Sequence, residues 1–327
     1  MTTIDIVITT YNRSEQLRRA IQSVLDQTDQ NLVLTVLDNC STDNTEEVCA
    51  RMLAPSHRYV RNPENLGMVG NWNAALRTGN NKYVQILHDD DELGPDFVAR
   101  MRAFIDKYPD CVFIHSGAAI IDQDSRITGT RNFDFPEYVT GDEFFEGWLA
   151  GKVSVVCPTA VFNRNLLSEG LEFSTDLPFT ADLVFFLRAS RSGYVGYIRE
   201  PIFRYREHPA STTSDLGRRI YSKIADRNSA ARQIQQEVDG RQLRIASPDQ
   251  VGRNYRRFAL ASDVLFTRLI GGSLADVWLV AGAVVRAEPA LLLNFRFYRM
   301  FLTSLVPLPA IRGLSKLLKA IRAQQGV

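Results

Sequence analysis

The first half of the chain alternates short apolar runs with longer stretches of helical periodicity. The apolar runs are rich in β-branched residues and lie at 4–8, 32–37, 59–61, 82–87 and 111–114. Between them, apolar residues recur every three or four positions, and the predicted helices begin near Asn12, Asp43, Met68 and Pro95. Strands that alternate with helices are typical of an α/β fold with a mostly parallel sheet. We expect Asn12 to cap the first helix, with Glu15 completing a capping box.

The pattern changes in the second half of the chain. Residues 129–151 are irregular and aromatic, and we interpret them as loops and a short helix that lie over a site. Beyond about residue 215 the strand patterns end and basic helical stretches follow. We therefore predict a first domain over 1–215, made of two halves at 1–115 and 116–215, and a C-terminal helical region over 216–327.

The composition is that of a globular protein, and the net charge limits the classes of binding partner to expect. The 327 residues include 38 Lys and Arg against 37 Asp and Glu, so the formal net charge is +1 and gives no reason to expect nucleic acid. Cys40, Cys49, Cys111 and Cys157 form no C-x-x-C pair, and we interpret them as reduced thiols of a cytoplasmic protein. The sequence has no signal-peptide pattern and no apolar run long enough to span a bilayer.

Polar side chains follow three of the predicted strands. Thr9-Thr10-Tyr11-Asn12 follows the first strand, Asp38-Asn39 the second and Asp89-Asp90-Asp91 the fourth. Because the carboxyl ends of parallel strands meet at one edge of a sheet, we expect these clusters to face one crevice, where such sheets bind ligands. The Tyr11 ring suits stacking on a nucleobase, and Asp38 or Asn39 suits a hydrogen bond to its edge. Taken singly, each cluster is also typical of an ordinary polar turn.

The three successive carboxylates are the strongest chemical feature of the sequence. Like charges this close repel each other, and a bound divalent cation removes that cost. Carboxylate oxygens suit Mg²⁺ or Mn²⁺. The alternative is a solvated acidic turn before the helix that begins near Pro95. The position after a buried strand favours the metal site.

Several blocks of the sequence, in this order, resemble the family 2 glycosyltransferases, which have the GT-A fold. The blocks are 6–13, 20–28, 37–45, 65–67, 71–76 and 88–91, so the resemblance covers roughly the first two-thirds of the chain. It implies a metal-dependent, inverting transfer of a sugar from a UDP- or dTDP-linked donor to an acceptor hydroxyl, in bacterial surface polysaccharide or glycolipid assembly. The nucleotide-sugar would bind the 1–115 half and the acceptor the 116–215 half.

The resemblance also implies roles for individual residues. The donor would contact Thr9, Tyr11, Asn12, Arg13, Asp38, Asn39, Asn65, Gly67, Asn71 and Asp89. The metal, Mg²⁺ or Mn²⁺, would be held by Asp90 together with Asp91 or Asp89, and by His208. The donor sugar and acceptor would be lined by Cys157, Pro158, Thr159 and Arg206. Asp182 would be the catalytic base, although it also suits a helix cap, and His208 also suits a surface loop.

Two positions depart from the family pattern. Asn39 stands where many members have a second Asp, and His88 stands where the first Asp of the D-x-D motif often is. An amide still accepts a hydrogen bond from a pyrimidine N–H, so uracil and thymine remain suitable bases. A sugar nucleotidyltransferase would carry a glycine-rich basic loop after its first strand, and none is present. A module that binds a nucleotide-sugar without turning it over is the alternative from another functional class.

The C-terminal residues combine apolar and basic side chains. One predicted helical face carries Ile311, Leu314, Leu317, Leu318 and Ile321, flanked by Arg312, Lys316, Lys319 and Arg322. Together with the apolar stretch 291–302, this pattern suits a helix on an anionic membrane surface. Packing against the first domain or a second subunit is the alternative, and the oligomeric state stays open. We predict peripheral association through 290–323 at the cytoplasmic face of the inner membrane, where a glycan or lipid-linked glycan would be the acceptor.

Overall fold

A computed structural model describes residues 2–207, 220–239, 241, 243–245, 247–269, 274–293 and 295–305. The chain divides into two compact units. The first consists of Met1–Glu207 with Gly240–Ala246, and the second of His208–Asp239 with Ser247–Val327. The predicted boundary at 215 lies outside the described residues.

The first unit contains ten strands and six α-helices among its described residues. Their order is β1 (Ile4–Thr10), α1 (Ser14–Leu25), β2 (Leu32–Asp38), α2 (Thr45–Met52), β3 (Arg58–Arg61), α3 (Gly67–Arg77), β4 (Tyr83–His88), β5 (Glu92–Leu93), α4 (Phe97–Lys107), β6 (Cys111–Ile121), β7 (Ile127–Arg131), β8 (Tyr138–Thr140), α5 (Gly141–Leu149), β9 (Val161–Asn163), α6 (Ala181–Ala189) and β10 (Tyr194–Arg206).

All these strands belong to one sheet with the order β3-β2-β1-β4-β9-β6-β10-β5. β3, β2, β1 and β4 pair in parallel, and β10 pairs in parallel with β6. The short β9 runs antiparallel between β4 and β6. β7 and β8 add antiparallel pairs to β6 and β10. The predicted α/β class with a mostly parallel sheet is therefore confirmed, and residue 115 lies inside β6, so both predicted halves build the same sheet.

The apolar runs are strands because both faces of the sheet are covered. All seven residues of β1 are buried, as near-continuous apolar runs of parallel strands usually are. α1 adds Leu17, Ile21 and Val24, which recur on one helical face and are fully buried. Each such side chain contributes about 1.5–3 kcal/mol on burial. This core fixes the strand ends from which the polar clusters extend.

Two parts of the secondary structure differ from the prediction. Residues 129–151, interpreted as loops with a short helix, include β7 and β8 as well as α5, and these strands extend the sheet. The 13-residue strand β10 was not predicted, because its sequence contains Gly196 and Pro201. Pro201 lies in a register shift between Ile198 and Phe203, where a residue without an N–H is tolerated.

The second unit is helical in all the segments that the structure describes. It comprises α7 (Ile220–Val238), α8 (Val251–Leu269), α9 (Leu274–Ala287) and α10 (Phe295–Ser304). Its core includes Leu260, Val264, Val284 and Phe297. Among the helices described, none is both long and apolar enough to cross a membrane.

Candidate active site

The polar clusters meet at one edge of the sheet. In the strand register, Thr10 of β1 is paired with Asp38 of β2, and Thr9 is paired with His88 of β4. Asp38 is in turn paired with Arg61 of β3. The predicted convergence of the three strand ends is thus present in the structure, at the edge where parallel α/β sheets bind ligands.

The loop after β1 is tied to the loop after β2. Asn12 has a positive φ of 52°, a conformation that asparagine tolerates better than most residues. Its N–H donates to Ser41 Oγ at 2.9 Å, and its Oδ1 accepts from the N–H of Thr42 at 2.7 Å. The predicted helix cap is therefore wrong: the N-cap position of α1 is Arg13, without a side-chain cap, and Asp43 Oδ2 accepts from the N–H of Ser14.

Asp38 lies inside the protein rather than facing solvent. It is fully buried, with Oδ1 accepting from the N–H of Ser41 at 2.9 Å and Oδ2 from the Tyr59 hydroxyl at 2.7 Å. Arg61 adds a longer contact of 3.4 Å. Burial and the bond to Asp38 raise the pKa of Tyr59. Asp38 therefore orders the loop, and Tyr59 and Arg61, which the sequence did not single out, hold it there.

Asn39 is the centre of a buried amide network. Its Nδ2 donates to Asn65 Oδ1 at 2.8 Å and to Gly67 O at 3.2 Å. Its Oδ1 accepts from Asn62 Nδ2 at 3.1 Å and from the N–H of Leu66 at 2.9 Å. Asn71 joins by accepting from Asn62, and Gly67 has the positive φ of 72°. The structure thus brings together four residues that were predicted to contact the nucleotide-sugar, namely Asn39, Asn65, Gly67 and Asn71. Their hydrogen bonds hold a loop in place.

Tyr11, Arg13 and Asp89 lie at the entrance to the acidic cluster. The Tyr11 side chain is exposed, whereas Thr9 is buried. Arg13 Nη1 donates to Asp89 Oδ1 at 3.2 Å and to Asp90 Oδ2 at 2.9 Å. Asp89 also accepts from Thr10 Oγ1 at 2.8 Å, and burial together with the Asp90 charge raises its pKa to about 6. Thr10 is therefore a further residue of the site, in addition to those predicted to contact the nucleotide-sugar.

His88, Asp90 and Asp91 form a group suited to a metal ion. One ligand atom from each lies within 4.8 Å of the others. Among the described residues, His88 Nε2 and Asp91 Oδ2 are buried atoms that have no hydrogen-bond partner. Burial and the Asp90 charge raise the pKa of Asp91, and burial lowers the pKa of His88. A buried carboxylate oxygen without a partner beside a second, repelling carboxylate fits a divalent cation, so the residues present are compatible with Mg²⁺ or Mn²⁺.

Arg206 stabilises the acidic turn from beneath. We expected it in a loop that lines the donor and acceptor, but it ends β10 and its guanidinium is buried. Its N–H donates to Asp91 Oδ1 and its Nε to Asp90 O, both at 2.8 Å. The remaining guanidinium nitrogens bind Asp122 O, the Glu92 carboxylate and Ser125 Oγ. A buried guanidinium requires such partners, so Arg206 fixes the backbone of Asp90, and its own backbone N–H fixes the side chain of Asp91.

The predicted Cys157–Thr159 loop is a buried 3₁₀ turn. Thr159 is fully buried, and the carbonyl of Pro158 accepts from Gln85 Nε2 of β4 at 2.6 Å. The pKa of the Cys157 thiol is raised by burial, by the charge of Asp182 and by that of Asp91. Both carboxylates therefore disfavour ionisation of this thiol.

Asp182 lies in the first turn of α6, where its side chain is half-buried. Its Oδ1 accepts from the adjacent N–H of Leu183 at 2.8 Å. The N-cap residue is Thr180, so Asp182 is not the cap of this helix. Its role as catalytic base stays a prediction. His208, the other predicted metal ligand, lies outside the described residues.

Comparison with known proteins decides the family. The family model described as glycosyl transferase family 2 matches residues 5–171. The chain belongs to this family. Family 2 relatives include the putative teichuronic acid biosynthesis glycosyltransferase TuaG of Bacillus subtilis strain 168, which is 25% identical over 209 residues, 62% of this chain and 78% of that protein.

Two solved structures share the fold of this family 2 protein. S. aureus TarS 1-349 in complex with UDP-GlcNAc superposes with a TM-score of 0.62 at 17% identity, covering 93% of this chain and 90% of that one. The mannosyltransferase PcManGT from Pyrobaculum calidifontis, in complex with GDP-Man and Mn²⁺, gives 0.54 at 18% identity, covering 92% and 85%. The expected GT-A fold is confirmed.

Proposed function

We propose that this family 2 protein is a metal-dependent, inverting glycosyltransferase that moves a sugar from a UDP- or dTDP-linked donor to an acceptor hydroxyl. The observation that carries the proposal is the register of β1, β2 and β4, which brings the loops bearing Tyr11, Asp38 and Asp90 to one edge of the sheet. That TarS was solved with UDP-GlcNAc supports a uridine donor.

The donor side of the proposal rests on the two tied loops. The exposed Tyr11 ring is available for stacking on the base. Asp38 and Asn39 already use their oxygens within the protein, so a contact of either with a base edge requires the exchange of one present hydrogen bond. Asn12 and Arg13 would contact the diphosphate, because Arg13 already lies against Asp89 and Asp90.

The leaving group needs its negative charge neutralised. We propose that Asp90 and Asp91, with His208, hold Mg²⁺ or Mn²⁺. The ion would stabilise the charge that develops on the nucleoside diphosphate as the glycosidic bond breaks. Arg13 would add a positive charge on the same side. The buried Asp91 oxygen without a partner and the Mn²⁺ complex of PcManGT support this assignment.

The acceptor hydroxyl needs to lose its proton as it attacks. We propose Asp182 as the general base, since it is a half-buried carboxylate in the first turn of α6, at the position that the resemblance to the family assigns to the base. General-base catalysis of this kind typically contributes about 10²–10⁴-fold in rate. One base and a single displacement invert the configuration at the anomeric carbon.

The biological acceptor is proposed from the relatives and from the second unit. TuaG is named for teichuronic acid biosynthesis, which supports a glycan or lipid-linked glycan of the bacterial surface. α9 and α10 expose large apolar side chains, namely Trp278, Leu279, Tyr298 and Leu302. We propose a cytoplasmic location with peripheral attachment at the inner membrane, to which these side chains would contribute.

The test measures nucleoside diphosphate release over a panel of nucleotide-sugars with Mn²⁺, with product configuration read by NMR. We expect UDP or dTDP from one donor, and loss of release in EDTA and in Asp90→Asn at an unchanged thermal midpoint. Full activity in EDTA would overturn the metal assignment. Donor binding by calorimetry without any release would indicate a binding module, and nucleoside triphosphate formation from the donor and pyrophosphate would indicate a nucleotidyltransferase.

A further inference from the structure

His88 departs from its family in a way that the structure makes interpretable. It ends β4 beside Thr9 of β1, at the point where the acidic turn begins. Its ring stacks on Trp72, with centroids 5.2 Å apart and planes within 5°. Trp72 is itself buried and contacts Phe173 edge-on. The imidazole is therefore held in one plane against the acidic turn rather than turned away from it.

One nitrogen of His88 and one oxygen of Asp91 lack hydrogen-bond partners within the described residues. His88 Nε2 and Asp91 Oδ2 are buried without a hydrogen-bond partner, and the Asp91 side chain is only 1% exposed. His88 Nδ1 lies 3.9 Å from Asp91 Oδ2, too far for a hydrogen bond. Two such atoms side by side are costly unless a ligand completes them.

Asp89 lies outside this group of ligand atoms. Its two oxygens accept from Thr10 Oγ1 and from Arg13 Nη1. Asp91, by contrast, uses Oδ1 for the N–H of Arg206 and leaves Oδ2 without a partner. The group of three ligand atoms within 4.8 Å is thus His88, Asp90 and Asp91. Opposite ligands of one divalent ion at about 2.1 Å are about 4.2 Å apart, so a small adjustment closes the group.

We propose that His88 is a nitrogen ligand of the metal ion, and that it sets the preference of the site for Mn²⁺ over Mg²⁺. This proposal rests on the metal dependence proposed above. Mg²⁺ prefers oxygen ligands and loses water reluctantly, whereas imidazole binds first-row transition ions well. A site with one imidazole in place of the family's carboxylate therefore discriminates against Mg²⁺.

The direct test is pulsed electron paramagnetic resonance of the full chain loaded with Mn²⁺, with and without UDP. A nitrogen bound to Mn²⁺ modulates the electron spin echo, and labelling histidine with ¹⁵N changes the modulation if the nitrogen belongs to imidazole. We expect this modulation in the wild type and a weaker modulation in His88→Asp, which retains only the contribution of His208. The spectrum of the His208→Gln variant is decisive even if the His88 variant does not fold, and His88→Asn serves as a second substitution.

A matched variant separates the two histidines proposed for the site. His208→Gln removes the other predicted imidazole, and we expect the nitrogen modulation to persist in it. Modulation that survives His88→Asp but disappears in His208→Gln would overturn the proposal. Bound Mn²⁺ without any imidazole nitrogen would overturn it as well, while leaving metal dependence intact. No bound Mn²⁺ under either condition would overturn both.

The preference of the site for Mn²⁺ over Mg²⁺ is measured by competition between the two ions. Mg²⁺ is titrated into the Mn²⁺-loaded protein, and the released Mn²⁺ is read from its free-ion signal. We expect His88→Asp to release Mn²⁺ at about ten-fold lower Mg²⁺ than the wild type, because an all-carboxylate site no longer discriminates against Mg²⁺. Equal Mg²⁺ requirements in the two proteins, at equal thermal midpoints, would contradict the assignment.

Discussion

At the scale of single residues, the site depends on which atoms donate and which accept. Asn39 donates two hydrogen bonds and accepts two, a combination that no carboxylate can provide. Asp182, by contrast, accepts from the backbone N–H of Leu183, a bond for which an amide oxygen would serve equally well. The two positions therefore predict opposite outcomes for exchanges between Asn and Asp.

We expect Asn39→Asp to destabilise the protein. The variant loses both donors, and the buried carboxylate at position 39 then faces Asn65 Oδ1 and Gly67 O, at a cost of about 1–3 kcal/mol for the buried group left without a donor. Urea unfolding would show a lower midpoint at an unchanged m-value. Asn65→Asp is the matched control, because Asn65 uses only its Oδ1 in the bonds described, and it should remain near wild-type stability. Equal stability of both variants would refute the network.

We expect the Asp182→Asn variant to fold and to bind the nucleotide-sugar, but its turnover should fall by about 10²–10⁴-fold, since an amide does not take a proton. Calorimetry with UDP and the thermal midpoint would report binding and folding. The nearby exposed Asp176→Asn is the control and should turn over normally. Loss of donor binding in Asp182→Asn would instead make Asp182 a binding residue.

At the scale of elements, β10 positions the acidic turn although it was not predicted as a strand. Arg206 at its end binds the Asp90 carbonyl, the Asp91 carboxylate and the Glu92 carboxylate. Arg204, two residues earlier on the same strand, forms an ion pair with Glu92 at 3.5 Å and is partly exposed. The same strand thus offers a buried and an exposed arginine for comparison.

We expect Arg206→Lys to lower the free energy of unfolding by about 1–3 kcal/mol for each buried acceptor left without a donor, and to weaken Mn²⁺ binding. A lysine ammonium cannot reach all the oxygens that the guanidinium binds. Arg204→Lys should change stability by about 1 kcal/mol or less. If Arg206→Lys left both quantities unchanged and raised only the acceptor KM, the original prediction of an acceptor-lining role would be correct.

The sequence predicted the elements with strong periodicity and missed those fixed by distant pairing. β1, β2 and β4 and the helices after them were placed within a few residues, because their apolar pattern matches their own geometry. β9 has only three residues, and β10 contains Pro201 at its register shift, so neither carries a local pattern. The bonds of Asn12 to Ser41 and Thr42 depend on two loops that only the sheet brings together.

At the scale of the whole molecule, charge and apolar surface are unevenly distributed. The net charge is +1, yet from Pro289 to the last residue the charged side chains are six Lys and Arg and no Asp or Glu. Within the described part of the second unit, Leu279 and Leu302 are each 60% exposed. Exposed apolar side chains next to positive charge suit an anionic lipid surface. The helical face at 311–321 lies outside the described residues.

We expect Leu279→Glu with Leu302→Glu to reduce flotation with anionic liposomes, since both side chains would otherwise enter the lipid interface. Ile127→Glu, at an equally exposed apolar position in the first unit, is the control and should float like the wild type. These substitutions are preferable to ending the chain near Glu288, because Phe297 is buried in the core of the second unit. Equal flotation of all three proteins would contradict the membrane surface.

The dependence of α1 on Asp43 has a consequence for the order of folding. The carboxylate that accepts from the first N–H of α1 belongs to Asp43, 29 residues later in the chain. The Asn12 side chain likewise accepts from the N–H of Thr42, which is also made later. During synthesis, the loop after β1 cannot reach its final conformation until the segment after β2 has left the ribosome. The turn after β1 is thus completed by the docking of β2, and it should gain protection from hydrogen exchange together with β2 rather than with α1.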